Sequence, residues 1–324
     1  MESKKFSCYF QAAMVFIMAF ATLGLAYGPF AMYLPALCED MGISYTSATA
    51  IYSFQAFASM AMYFLVAPLT KKLGIKGYLW LGAIASIGCF ACMYFAKSLA
   101  PLYVAGILLG VTLNVGAMSM PLVVPNWFVE KTGTILGVCM AASGLGGLIG
   151  TPIFTKIITT YGWRTSCLVS LVAIGSLMVI ANIFIKPTPQ EVGQFPYGYK
   201  ATSGDDVKKT VPLPGPDSGI AMKSKGFIFG VIAVVGIVLA VQGFSSQFSN
   251  MYLVAGYSMT FAGTAVTIYQ VFNTLDNILL GVINDRYGFK AAWIWQCMVL
   301  PALRQEPRRR RATQKSYMRM KLCL

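Results

Sequence analysis

Long apolar segments alternate with short polar ones along most of the chain. A helix needs about 18 to 20 apolar residues to cross a hydrocarbon core of about 30 Å, and these segments reach that length. The pattern therefore predicts eight membrane-spanning helices, at Phe10–Leu37, Ser47–Leu69, Gly77–Ala96, Pro101–Val124, Thr134–Thr155, Arg164–Ile185, Phe227–Phe244 and Thr260–Ile283.

The longest polar segment, rich in Pro, Gly, Lys and Asp, separates the sixth span from the seventh. Its composition offers too little apolar surface to build a core. The chain therefore divides into a six-helix bundle (residues 1–185), a flexible cytoplasmic linker (186–226) and a partial second bundle (227–303). Residues 304–324 form a basic tail that interrupts a ninth apolar stretch, which begins at Ala291 and stops at Leu303.

Lysines and arginines concentrate in every second loop. Lys4 and Lys5 precede the first span, and further bases follow the second, fourth, sixth and eighth spans. Because basic loops stay on the cytoplasmic side of a membrane, we expect a multi-pass protein of the cell (cytoplasmic) membrane with its N-terminus in the cytoplasm.

The loops after spans two and eight share a pattern at an offset of 214 residues (286 minus 72). Two parallel repeats, related by an axis along the membrane normal, would produce such a correspondence. In each loop a glycine permits a tight reversal between helices and the bases anchor at the membrane surface. The predicted gating loop comprises Lys72, Gly74, Lys76, Asp285, Arg286, Gly288 and Lys290.

The segment from Gly281 to Lys290 resembles the loop signature of the major facilitator superfamily. In the first copy Lys71 stands where that family usually has an aspartate. A second stretch, with Asn126-Trp127-Phe128, Ala142-Ser143-Gly144-Leu145-Gly146-Gly147 and Tyr161-Gly162-Trp163-Arg164, resembles its oxalate/formate antiporter and monocarboxylate transporter branch. The resemblance implies an all-α membrane protein with a major-facilitator-type helical bundle, one complete six-helix half plus an incomplete second half.

Composition narrows the function further, since 57% of the residues are hydrophobic and only 11% are charged. The lipid bilayer is therefore the main partner. The net charge of +14 is spread over loops and the tail, which disfavours nucleic acid and favours an anionic membrane surface. The sequence has no histidine, which excludes histidine-based zinc sites and catalytic triads. We expect no metal, no cofactor and a monomer.

The eighth span concentrates polar residues, which are costly in lipid and mark substrate or ion paths. Tyr269, Asn273 and Asn277 lie at helical spacing, with Gln270 and Asp276 within one turn. Desolvation should raise the pKa of the Asp276 carboxyl, which favours proton carriage; a carboxylate satisfied by neighbouring hydrogen bonds is the alternative. Other candidates for the path, each alternatively a helix–helix hydrogen bond, are Tyr27, Tyr33, Gln55, Asn114, Gln242, Gln247 and Asn250.

Small residues in the fifth span predict a close helix contact. Ser143, Gly147 and Thr151 fall on one helix face, with Gly144 beside them. The glycine-rich stretch has no preceding strand, so a nucleotide site is disfavoured.

These features predict a secondary active transporter, not an enzyme. It would move a small organic anion or other small metabolite by alternating access, coupled to a proton or a counter-substrate. The related antiporters carry an arginine near the position of Asn277, and its absence leaves the substrate open. Because the second repeat stops within a unit, we expect a C-terminally truncated chain, with a native basic anchor as the alternative for the tail. A truncated, non-transporting fragment is the alternative function.

Overall fold

The computed structural model describes residues 2–199, 224, 228–232, 236, 259–288 and 290–295, and all regular secondary structure in these ranges is helical. Helix α1 is Glu2–Ala19, α2 is Tyr33–Met41 and α3 is Tyr45–Tyr94. Helices α4, α5 and α6 are Leu99–Trp127, Thr132–Tyr161 and Trp163–Phe184. A short 3₁₀ helix follows at Pro189–Val192, and α7 is Met259–Tyr287.

The first span is one rod of changing helical pitch, which runs over Ser7–Met41. Between α1 and α2 lie a π-helix, Phe20–Tyr27, and a 3₁₀ helix, Gly28–Met32. Pro29 lies near the start of the 3₁₀ helix and has no backbone N–H to donate to a preceding turn, so a regular α-helix is interrupted there. The rod ends at Gly42, which adopts the left-handed conformation that commonly closes helices.

Helix α3 contains both the second and the third predicted span. Its 50 residues would extend about 75 Å at the α-helical rise of about 1.5 Å per residue, more than twice the thickness of a hydrocarbon core. Gly74, with φ 70° and ψ 167°, is the non-helical residue that breaks it. The predicted loop between these spans is thus contracted to a sharp break at one glycine.

Five helical segments in the described residues are long and apolar enough to cross a membrane, and the doubled α3 makes them equivalent to the six predicted spans of residues 1–185. Helix α7 coincides with the eighth predicted span but is not one of the five. Most of the seventh predicted span, and the ninth apolar stretch beyond residue 295, lie outside the described residues.

The chain divides into two compact units. The first consists of Met1–Pro212 with Thr267–Val282, so the middle of α7 belongs with helices α1 to α6. Its interior is filled by large side chains with less than 2% exposure, among them Trp127, Tyr78, Phe30 and Phe90. The second unit consists of Leu213–Val266 with Ile283–Leu324, and its described residues include both ends of α7.

Residues 186–199, which the sequence assigns to the flexible linker, fold back onto the bundle. We call this segment the strap. The backbone N–H of Tyr197 donates to the Trp127 carbonyl over 2.8 Å, and the N–H of Val129 donates to the Tyr197 carbonyl over 2.9 Å. The rest of the predicted linker lies largely outside the described residues.

Candidate transport site

Helices α5 and α7 cross at very close range. A Cβ added at Gly137 would meet the backbone carbonyl of Asn277 and would lie 3.3 Å from the Cα of Gly281. A Cβ added at Gly281 would in turn lie 2.9 Å from the carbonyl carbon of Gly133. Gly133 and Gly137, four apart on α5, together with Gly281 on α7 therefore let the two backbones touch, as in close-packed membrane helices.

The polar stripe of α7 continues from this crossing. The Asn277 side-chain amide donates to the side-chain oxygen of Asn273 over 3.1 Å. Asn273 is exposed, whereas Asn277 and Asp276 are half-buried. Because Asn277 is fixed by its backbone at Gly137, the amide pair has a defined position beside α5. The stripe therefore provides amide and carboxylate groups next to a helix contact, an arrangement that can bind a polar solute.

Part of the predicted stripe lies outside the described residues. The backbones of Tyr269 and Gln270 belong to α7, but their side chains lie outside the described part of the chain. Gln242, Gln247 and Asn250 also lie outside it.

Tyr33 and Asn114, which the sequence offers as candidates for the path, each form hydrogen bonds to a neighbouring helix. The Tyr33 hydroxyl hydrogen-bonds the hydroxyls of Ser166 and Ser170 on α6, at 2.8 and 2.9 Å. The Asn114 side-chain oxygen accepts from the Tyr78 hydroxyl over 2.5 Å, and its amide donates to the Ser59 carbonyl over 3.4 Å. Both side chains are buried and bonded within the bundle.

Two further candidates lie closer to the bundle surface. Tyr27 is exposed at the end of the π-helix, and Gln55 is half-buried on α3. Gln55 lies one turn from Asn114 along the contact between α3 and α4, because a Cβ added at Gly110 would meet the Gln55 backbone carbonyl.

The small-residue face of α5 also packs against the first rod. A Cβ added at Gly24 would lie 2.6 Å from the Cα of Gly146, and one added at Gly28 would lie 2.9 Å from the Cα of Gly147. Thr151 borders the same contact, 3.9 Å from the Cβ that Gly28 lacks.

Ser143 and Gly144 lie at the margin of this contact. Both are half-buried, and the Ser143 hydroxyl donates to the Met140 carbonyl of its own helix over 2.7 Å. The tightest contact in this part of α5 is therefore Gly146, one residue before the predicted Gly147.

An ion pair that sequence reasoning missed joins three loops at the other end of the bundle. The Arg164 guanidinium lies 2.7 Å from the Asp40 carboxylate, and it also donates to the Ala96 carbonyl over 3.4 Å. The Trp163 indole N–H donates to the same Asp40 oxygen over 3.1 Å. The signal was available, because Asp40 and Arg164 both flank odd loops and carry opposite charges.

The family model of the Major Facilitator Superfamily matches residues 12–301, which is most of the chain. The chain belongs to the Major Facilitator Superfamily. This is a family of membrane transporters and not of enzymes, and it confirms the prediction of a multi-pass membrane protein.

Two curated proteins are distant relatives of this superfamily chain. An uncharacterized transporter of Saccharomyces cerevisiae, ESBP6, is 21% identical over 230 residues, which cover 69% of this chain and 32% of the relative. The Arabidopsis thaliana protein named "Putative glycerol-3-phosphate transporter 3" is 26% identical over 254 residues, which cover 70% of this chain and 49% of the relative. The chain therefore spans half or less of the length of these relatives.

The fold is similar to that of a solved superfamily structure, the proton:xylose symporter XylE bound to 6-bromo-6-deoxy-D-glucose. The TM-score is 0.62 at 12% sequence identity, over 88% of this chain and 70% of the symporter. The likeness confirms the predicted major-facilitator-type helical fold.

The two predicted copies of the superfamily loop each have a glycine with a positive φ. Gly74 has φ 70° and Gly288 has φ 81°, both in the region that favours glycine. Of the neighbouring charged residues, Lys72, Asp285, Arg286 and Lys290 are exposed and Lys76 is half-buried. A positive φ at both glycines is what the two-repeat interpretation of the sequence predicts.

Proposed function

We propose that the chain forms the working part of a secondary active transporter that moves a small organic anion or other small metabolite across the cytoplasmic membrane by alternating access. The observation that carries the proposal is the contact between α5 and α7 beside the Asn273–Asn277 amide pair. Amide groups replace part of the hydration shell of a polar solute. Two glycine-lined backbones in contact can separate and close again without rearranging side chains.

The substrate class is supported by chemistry and by one relative. Glycerol-3-phosphate, in the name of the Arabidopsis relative, is a small organic anion. The resemblance of Asn126-Trp127-Phe128 and Tyr161-Gly162-Trp163-Arg164 to the oxalate/formate and monocarboxylate branch supports the same class. Between Lys225 and Arg286 the sequence contains no lysine or arginine. This segment would therefore offer a bound anion amide and hydroxyl donors, and the coupled proton would be carried on the Asp276 carboxyl.

Asp276 is the proposed coupling residue. It is half-buried on α7, one residue before Asn277, and therefore lies next to the amide pair. A carboxyl group that exchanges a proton as the site changes sides would couple substrate movement to the proton gradient. If instead a second solute returns through the same site, Asp276 would act as a hydrogen-bond acceptor and exchange would not depend on pH.

Uptake into proteoliposomes tests the proposal. Vesicles that contain the purified chain should take up radiolabelled glycerol-3-phosphate, oxalate, formate or lactate above the level of empty vesicles. Asn273→Ala should lower the initial rate for the transported solute, because it removes the acceptor of the Asn277 amide. Asp276→Asn should abolish the dependence on an imposed pH gradient while substrate exchange continues.

Matched controls separate the site from the fold. Val138→Ala changes an exposed residue on α5 next to Gly137 and should leave uptake unchanged. Uptake that is unaffected by both Asn273→Ala and Asp276→Asn would overturn the assignment of the site to α7.

A second candidate function is a non-transporting module that pairs with other membrane helices. The residues that favour it are the glycines at which α5 lies against other helices, Gly137 at α7 and Gly146 at the first rod, since such surfaces also pair helices without any transport. Normal membrane insertion without flux of any of the four solutes would favour this module over the transporter.

A further inference from the structure

The strap, residues 186–199, is bonded at its beginning to helices α1 and α4. The Lys186 N–H donates to the Gln11 side-chain oxygen over 2.7 Å, and the Lys186 carbonyl accepts from the Trp127 indole N–H over 2.7 Å. The Asn126 side-chain amide donates to the Pro187 carbonyl over 3.2 Å. Three side chains from two helices thus satisfy consecutive backbone groups, which fixes the direction in which the chain leaves α6.

The end of the strap is bonded to the loop between α4 and α5. The Tyr197 carbonyl accepts from the N–H of Val129 over 2.9 Å and from the N–H of Glu130 over 3.4 Å. The Tyr197 ring lies 5.9 Å from the Phe128 ring and 5.9 Å from the Tyr9 ring, centroid to centroid. The loop is thus held through its backbone and its aromatic side chain.

This loop determines where α5 begins. Helix α5 starts at Thr132, and Lys131 before it has φ 63°, a strained conformation for a residue other than glycine. Gly133 and Gly137, which touch α7 at Gly281 and Asn277, lie in the first two turns of that helix. A displacement of the loop would therefore move the part of α5 that forms the crossing.

We propose that the strap is a positioning element for the transporter: Tyr197 holds the first turns of α5 against α7, and the crossing opens only when this hold is released. This inference rests on the proposed function, because the strap can control alternating access only in a transporter. It extends that function: residues outside the membrane spans would control one end of the path.

Two native cysteines report on the two ends of the bundle. Cys139, in the third turn of α5, has an exposure of 1%, and its thiol donates to the Ala12 carbonyl of α1 over 3.8 Å, so its labelling reports whether the start of α5 leaves its place in the bundle. Cys167, in the second turn of α6 beside the Asp40–Arg164 ion pair, has an exposure of 0%. Two proteins, each retaining one of these cysteines with the others replaced by serine or alanine, would be labelled with a membrane-permeant maleimide in lipid vesicles.

Tyr197→Pro removes the N–H that donates to Trp127, and Trp127→Phe removes the indole N–H that donates to Lys186. Each should raise the labelling rate of Cys139 by roughly fivefold, the population shift that the loss of one hydrogen bond produces. The labelling rate of Cys167 should not change. Val192→Ala, an exposed change within the strap, is the matched control and should change neither rate.

An equal increase at both cysteines would mean general loosening of the bundle and would overturn the proposal, as would unchanged labelling of Cys139 in both variants. If Tyr197→Pro fails to insert, Trp127→Phe alone decides. Labelling does not depend on transport, so a chain without flux could still confirm or refute the strap.

Discussion

Replacing Tyr33 by phenylalanine shows whether this side chain serves helix packing or the transport path. In Tyr33→Phe the ring stays in place while the hydroxyl bonded to Ser166 and Ser170 is lost. Hydrogen bonds between membrane helices contribute about 0.6 kcal/mol each on average and up to about 1.7 kcal/mol. Two bonds at 2.8 and 2.9 Å therefore predict a loss of about 1 kcal/mol in the free energy of unfolding, with uptake preserved.

A double-mutant cycle measures this coupling directly. Ser166→Ala with Ser170→Ala removes the partners, and Tyr33→Phe in that background should then cost close to nothing. Unfolding would be followed in mixed micelles with increasing sodium dodecyl sulfate, and initial uptake rates would be measured in vesicles from the same preparations. Unchanged stability together with abolished uptake would refute the packing assignment and return Tyr33 to the transport path.

Three further expectations concern the bundle and its loops. Gly146→Ala places a methyl group 2.6 Å from a backbone atom of the first rod and should lower the free energy of unfolding in detergent by about 1 to 3 kcal/mol. A Cβ at neighbouring Gly147 meets nothing within 4 Å, so Gly147→Ala should leave the stability unchanged. Equal losses of stability in the two variants would contradict the contact. Arg164→Ala removes a nearly half-exposed ion pair and should cost less than about 1 kcal/mol at low salt, with the difference lost at high salt. Cysteines placed at Lys72 and Arg286 should react with an impermeant reagent from the same side of the membrane; labelling from opposite sides would exclude parallel repeats.

Much of the helical layout could be predicted from hydropathy alone, because membrane spans must satisfy their backbone hydrogen bonds internally and therefore become long apolar helices. The break between spans two and three was also predictable, since Gly74 follows a basic turn. The bonding of Tyr33 and Asn114 was not. Their partners lie on other helices, and a polar residue in a span can serve packing or a path with the same sequence signature.

The strap shows a different limit. Its composition indicates a linker, and nothing in residues 186–199 alone predicts bonding to Gln11 or Trp127. The predicted stripe of α5 includes Gly147 and Thr151, which border the contact with Gly28. The stripe does not include Gly146, because that contact depends on a glycine of the partner segment, Gly24.

The mixed winding of the first rod has a consequence for how its two ends are oriented. A π-helix turns the chain by less per residue than the about 100° of an α-helix, and a 3₁₀ helix turns it by more. Rewinding Phe20–Tyr27 as α-helix would therefore rotate everything beyond it about the long axis and carry Tyr33 away from α6. The hydrogen bonds from Tyr33 to Ser166 and Ser170 therefore fix the rotation of the second half of the rod about its long axis.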